Sequence, residues 1–230
     1  TSAQSVLRIQ APLGMDLSTL AIDDNDTLVL WTGQRYTLTT AQAANARVWN
    51  GMADGNRGDL STAGAVRLIA NTVTKSNEDL TTLKLESSDV IQLTAGVNYT
   101  LTPQQAAIAQ IGATGKLGDL VGTAANAGNI TVKASSSADL SGIRLDAAGD
   151  QIQLTSVVGS TRCDYVLTSS QMGIAQVDSG TVGDFTAAGT ITLRAASTGE
   201  DLSTGAAVTA LGIDAYQLSP MQNYTLLASQ

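Results

Sequence analysis

The sequence contains no histidine and a single cysteine, Cys163. Without an imidazole, Ser-His-Asp and Cys-His nucleophiles are excluded, as is any His-ligated metal. Without a second thiol no disulfide can form within the chain, so its order must come from packing. Cys163 lacks the basic surroundings that activate a thiol and is read as a variable position of a repeated pattern. Aromatic residues make up 3% of the chain, and the net charge is −8. No stretch combines clustered Lys and Arg with aromatics, so nucleic acid is not an expected partner. No apolar run reaches the eighteen residues of a membrane span, and the start TSAQSVLRIQ has no basic region followed by an apolar stretch. A soluble chain with no membrane insertion is expected. Gly-rich phosphate loops of the Walker or dinucleotide type are missing as well.

What is present is turn and strand chemistry. Gly, Ser and Thr abound, and of the 20 acidic residues only Glu78, Glu86 and Glu200 are Glu. That mix favours turns and strands over long helices. The chain also repeats itself. Asp-Leu occurs at 16, 79, 139 and 201, in steps of 63, 60 and 62 residues. Tyr36, Tyr99, Tyr165 and Tyr224 recur in phase within YTLTTAQ, YTLTPQQ, YVLTSSQ and YTLLASQ, each followed six residues on by Gln42, Gln105, Gln171 or Gln230. Between these marks lies Asp-x-apolar-x-Leu, as DTLVL, DVIQL, DQIQL and DAYQL, beginning at Asp26, Asp89, Asp150 and Asp214.

Each unit can be read physically. LRI (7–9), VRL (66–68), ITV (130–132) and ITL (191–193) alternate apolar with polar, the period of a half-buried strand. Leu20 with Ile22, Leu83 with Leu85, and Ile143 with Leu145 suggest a second strand; in the fourth unit Gly205 breaks that pattern. Asp-x-apolar-x-Leu gives a third, with Gln92, Gln153 and Gln217 on the opposite face, where stacked units would form a glutamine ladder. Tyr-Thr-Leu-Thr gives a fourth. Thr39, Thr102 and Thr168, each with Gln three residues on, have the spacing of a capping box, and Pro103 suits a first helical turn. AQAANARV, QQAAIAQI and SQMGIAQV should therefore be short helices.

The expected fold is mainly β: four tandem repeats of sixty-odd residues (1–58, 59–118, 119–183 and 184–230) in one continuous domain, with one short helix per repeat. A β-solenoid with two or three rungs per unit fits this organisation; a string of small β-rich modules packed end to end is the competing geometry. The pattern Asp-Leu-Ser, Asp-x-Ile-Gln-Leu and Tyr-Thr-Leu-Thr-x-x-Gln-Ala-Ala resembles the degenerate repeats of large bacterial secreted and surface proteins, including repetitive adhesins exported by type I systems. The resemblance covers most of the chain and implies an extracellular spacer, matrix or adhesive role, although the Gly-Gly-x-Gly-x-Asp calcium repeats common in such proteins are lacking.

Among candidate sites, the repeated aspartates are read as turn residues, because an active site is built once whereas turns recur. Asp23, Asp24 and Asp26 crowd oxygen ligands as calcium sites do, although without the Gly and distal Glu of an EF-hand; a solvated acidic turn is the alternative. Trp31 and Trp49 have no equivalents in later units, and they are either a sugar-stacking platform or fillers at the end of the core. Arg57-Gly58-Asp59 spells an integrin-binding tripeptide, but Gly-Asp recurs at 118–119 and 183–184, leaving the Arg as a solvated residue before a repeat turn. The leading expectation is a structural or adhesive surface protein that self-associates, head to tail or symmetrically, and is not an enzyme. A virion fibre or capsid-decorating protein, and a carbohydrate-binding or carbohydrate-active solenoid, are the alternatives; an enzyme would draw on non-repeated carboxylates such as Asp146 or Asp178.

Overall fold

Tyr36, Tyr99 and Tyr165 are buried, and the elements that bury them are short. The structure, a computed structural model, describes residues 7–70, 77–121, 128–147, 149–159 and 161–230. The first unit runs through β1 (Arg8–Ala11), β2 (Thr27–Trp31), β3 (Tyr36–Thr39), α1 (Thr40–Asn45) and β4 (Ala46–Trp49). The second gives β5 (Val66–Ile69), β6 (Asn77–Asp79), β7 (Val90–Leu93), β8 (Asn98–Leu101), α2 (Pro103–Ile108) and β9 (Ala109–Ile111). The third follows with β10 (Ile130–Ala134), β11 (Ala138–Asp139), β12 (Gln151–Leu154), β13 (Tyr165–Thr168), α3 (Ser169–Met172) and β14 (Ala175–Val177). The last holds β15 (Ile191–Arg194), β16 (Glu200–Asp201), α4 (Ala206–Thr209), β17 (Ala215–Gln217) and β18 (Tyr224–Thr225).

The protein is mainly β, and every ladder between these strands is parallel. The sheets run β1-β2-β4, β3-β5-β7-β9, β6-β8-β10-β12-β14, β11-β13-β15-β17 and β16-β18, and none closes into a barrel. Parallel neighbours need a crossover, and here the crossover is itself a strand in the adjoining sheet. From β5 the chain steps to β6 in the next sheet, returns to β7 beside β5, goes to β8 beside β6, and comes back through α2 to β9. Each large sheet is thereby shared by consecutive units: Tyr36 of β3 pairs with Val66 of β5, and Tyr99 of β8 with Ile130 of β10. Inward rows such as Leu28, Leu68, Val132 and Leu193 join one apolar cluster running from Ala11 to Ala207. No helix among the described residues is long and apolar enough to cross a membrane.

Four local expectations differ from what forms. The helices end halfway: after Asn45 and Ile108 the chain turns extended at Ala46 and Ala109 and becomes β4 and β9, because Ala46 and Val48, like Ala109 and Ile111, alternate and find an edge to pair with. The second strand is one residue wide, reduced to the bridges Asp59↔Lys84, Asp119↔Arg144 and Asp184↔Leu211, although Leu83, Leu85 and Ile143 are buried as the alternation requires. No glutamine ladder links the four units, since β2, β7, β12 and β17 lie in four different sheets. Gln92 instead faces Gln110 in register and accepts from Arg67. In the fourth unit the helix is α4, and its Gly205 cap makes no side-chain bond.

Glycines mark where sheets meet closely. A Cβ on Gly64, Gly128 or Gly189 would stand 2.4, 1.9 or 2.2 Å from the carbonyl oxygen of Gln34, Val97 or Cys163, each two residues before a repeated Tyr. The approach to each new unit's first strand therefore excludes any side chain at this position.

Candidate functional site

The repeated polar residues hold the backbone together. The hydroxyls of Tyr36, Tyr165 and Tyr224 donate to the carbonyls of Ala11, Ala134 and Ala196. They accept from the amides of Trp31, Thr155 and Ser219, just beyond the Asp-x-apolar-x-Leu strand, as Tyr99 does from Thr94. Gln42, Gln105 and Gln171 complete capping boxes with their Thr and extend Nε2 to two carbonyls after the Asp-Leu turn, Leu80 and Leu83 in the case of Gln105. Gln230 bonds in the same way to Leu227, Leu202 and Ala207 without a helix.

The aspartates form two families. Asp16, Asp79, Asp139 and Asp201 each accept from the amide and hydroxyl of the Ser or Thr two residues on. Asp26, Asp89, Asp150 and Asp214 instead reach the neighbouring strand, accepting from the amides of Leu7, Val66, Ile130 and Ile191. Burial pushes the Asp89 and Asp150 carboxyls above their ordinary value despite these bonds.

The same geometry accounts for the acidic turn. Asp26 accepts the Leu7 amide on one oxygen and the Asp23 amide on the other, which hold its carboxyl below the usual value, while Asp23 accepts from the Asn25 amide. Asp24 is exposed, and its carbonyl is bonded by Arg57. Among the described residues no group of three or more His, Cys, Asp or Glu side chains is placed to hold a metal ion. Arg57 is not merely solvated: its guanidinium also bonds Asn45 Oδ1 and the Asp26 carbonyl. Asp59 is engaged by Ser61 and Lys84, and Gly58 has a φ of 73° that favours glycine. The integrin-like tripeptide is thus built into the fold on both sides.

Trp31 and Trp49 meet on the outward face of the β1-β2-β4 sheet. They are register partners in the β2–β4 ladder, with ring centroids 4.7 Å apart and planes tilted by 51°. The main core lies on the other side, beneath Leu28, Leu30, Ala46 and Val48, while on the outward side the rings pack over Val29. With Arg8, Gln10 and Val29 they line a cavity of about 240 Å³. Trp31 is 37% exposed, whereas Val29, on the same outward row, is 1% exposed. Past Trp49 the chain turns on Asn50, whose Oδ1 accepts the amides of Met52 and Ala53, and returns so that Asp54 bridges to Trp49. Asp54 receives Arg8 in a bidentate pair, Nη1 to Oδ2 at 2.6 Å and Nη2 to Oδ1 at 3.0 Å, which lowers the carboxyl's pKa. Arg47 ties down the same turn through the Gly55 carbonyl.

The sequence names the two rings, but Arg8, Gln10 and Asp54 come to them only through the register of β1 and the turn after β4. A signal did exist: Trp31 stands where the later units have Thr94, Thr155 and Ser219, and Trp49 stands where they have Gly112 and Asp178. Comparison with family models, curated proteins and solved structures finds no match for this chain.

Proposed function

We propose that the chain is a structural, adhesive module of an extracellular or bacterial cell-surface protein, built as a β-solenoid of four sixty-odd-residue units. The observation that carries this reading is the reuse of the same side chains for the same internal bonds. The Tyr hydroxyl spans two strand ends, the Gln gathers carbonyls and the Asp clamps the preceding strand in unit after unit. Such a unit buries its apolar row against its neighbours, so length is gained by repetition.

Self-association belongs to the same reading. β1 is an edge strand at one end of the sheet series, with Leu7, Leu13 and Met15 exposed in its unit. β17 and β18 are edges in the last unit, where Leu218, Met221 and Leu226 are exposed. Open edges of this kind take a further strand, here from another copy of the same unit.

Light scattering combined with small-angle X-ray scattering tests the proposal. An elongated particle, with mass rising stepwise as copies add, is the expected outcome, and a compact particle of fixed monomer mass would overturn it. Turnover of a polysaccharide that needs Asp146 or Asp178 would also replace this reading with an enzymatic one. A calcium-dependent change in scattering that Asp24→Asn abolishes would make the acidic turn a metal site.

A further inference from the structure

We infer that the outward face of β1, β2 and β4 binds a glycan, stacking one pyranose ring on the joined surface of Trp31 and Trp49 with its hydroxyls turned to Arg8 and Gln10. The inference rests on the adhesive reading only for its setting, and it names the class of ligand the module would hold.

Placing these rings has a cost. Two large indoles in a chain with so few aromatics are placed on the solvent side of a sheet, in one unit, where later units carry Thr, Ser, Gly or Asp. Trp31 is 37% exposed and Trp49 half-buried, so beyond covering Val29 the pair leaves aromatic surface free for a contact. The rings are also held rigidly. The Trp31 amide is fixed at 2.8 Å by the Tyr36 hydroxyl, Trp49 is fixed by two neighbours, β2 and Asp54, and the following turn is held by Asn50 and Arg47. A site on strands with its support already bonded is preorganised for a ligand.

Size and polarity select the occupant. The cavity, about 240 Å³, is smaller than the roughly 300–1,000 Å³ typical of drug-sized ligands, so it suits a single ring and not an extended segment. The indoles touch, with centroids 4.7 Å apart, and their tilt makes one bent apolar surface on which the C–H face of a pyranose lies. The sugar's equatorial hydroxyls then point at the rim. There the bidentate pair with Asp54 leaves further N–H donors of Arg8 uncommitted, and Gln10 is exposed with no side-chain hydrogen bond among the described residues. A proline-rich peptide also stacks on Trp but needs a groove open along several residues.

Both tryptophans of the chain lie in this pair, so tryptophan emission, excited selectively over that of the five tyrosines, reads the site. Chitin, cellulose, mannan, galactan and alginate hexasaccharides would be titrated into the full chain, with calorimetry in parallel and a proline-rich decapeptide as competitor. The expected result is a saturable emission change with at least one saccharide at concentrations up to about 10 mM, the weak end of single-site affinity. Trp31→Ala should weaken binding at least about tenfold, with a retained cooperative unfolding transition showing that the fold persists. Arg8→Lys, which keeps the charge but loses the fork, should weaken it severalfold. Absence of saturation with every saccharide, saturation only by the peptide, or affinity indifferent to both substitutions would overturn the inference. The scaffold reading fails separately: a compact particle that still binds saccharide would sink the solenoid and leave the site, and an elongated one that binds none would do the reverse.

Discussion

Asp89 and Asp150 show how far one side chain can serve two strands. Each carboxylate accepts one amide from its own turn, Glu86 or Asp146, and one from the start of the neighbouring strand, Val66 or Ile130. Asparagine fits the same space but would turn an N–H₂ toward one of those donors. Asp89→Asn should therefore destabilise the protein by about 1–3 kcal/mol, the cost of a buried group left unpaired, as measured by urea unfolding. The deficit should also depend on pH. Asp89 has a raised value in the folded protein, so its contribution to stability is present below the unfolded value and fades as pH rises through the folded one. The gap between wild type and Asp89→Asn should accordingly be widest at the acid end and narrow toward neutrality. Asp16 and Asp184 work in the opposite sense: the hydroxyl and then the amide of the residue two positions on lower their values, and what they contribute is lost as pH falls. The Asp-Leu family was legible in the sequence because its Ser or Thr partner is two residues away. The clamp family was only half legible, since the neighbouring strand's amide lies some twenty residues off in the chain.

At the scale of the element, local signals are legible in the sequence and strand pairing is not. The capping boxes at Thr39, Thr102 and Thr168 form as the spacing predicts. The strands that follow them were hidden, because Ala-x-Val and Ala-x-Ile continue an alanine-rich helical run until an edge strand captures them. Gln105 joins the helix start to the Asp-Leu turn, bonding the Thr102 amide, Leu80 and Leu83. Gln105→Ala should thus cost more than Thr102→Ala, about 2–3 against about 1 kcal/mol, in thermal or urea unfolding. The junctions between units show a second complementarity. Thr40 at the start of α1 donates to Glu78, and Ser169 at the start of α3 donates to Glu200. At the junction between them Pro103, which has no donor, stands at the helix start and Ala138 occupies the carboxylate's place. Glu78 is 9% exposed, and its Oε2 has no hydrogen-bond partner among the described residues, so Glu78→Gln, which removes a buried charge and keeps an oxygen for Thr40, should be neutral or stabilising. Gly128→Ala should destabilise more than any of these, because a methyl group there meets the Val97 backbone with nothing flexible to move; failure of the variant to express as folded protein, judged by circular dichroism, is the expected extreme.

Across the whole molecule, stability should be graded. Tyr99 and Leu101 of β8 lie inside a five-stranded sheet, whereas Tyr216 and Tyr224 are half-buried on edge strands and Leu211, Leu218 and Leu226 are exposed. Amide exchange should accordingly be fastest over residues 211–230 and slowest in β8, β10 and β12. Uniform protection along the chain would mean that the units open together. The mainly β character was legible from alternation and turn residues. The sharing of each sheet between consecutive units was not, because it depends on which edge a strand meets after its crossover. The uniformly parallel ladders also have a mechanical meaning. Successive passes of the chain are hydrogen-bonded in order, so tension between the ends pulls along the bonds rather than across them. The bonds then break a few at a time, as in a zipper, and not all at once, as in shear. Each pass that gives way releases the chain between its paired residues, for instance between Ile91 and Ala109 or between Tyr99 and Ile130. Under load the protein should lengthen in small, low-force, reversible steps, a shock absorber rather than a rigid tether.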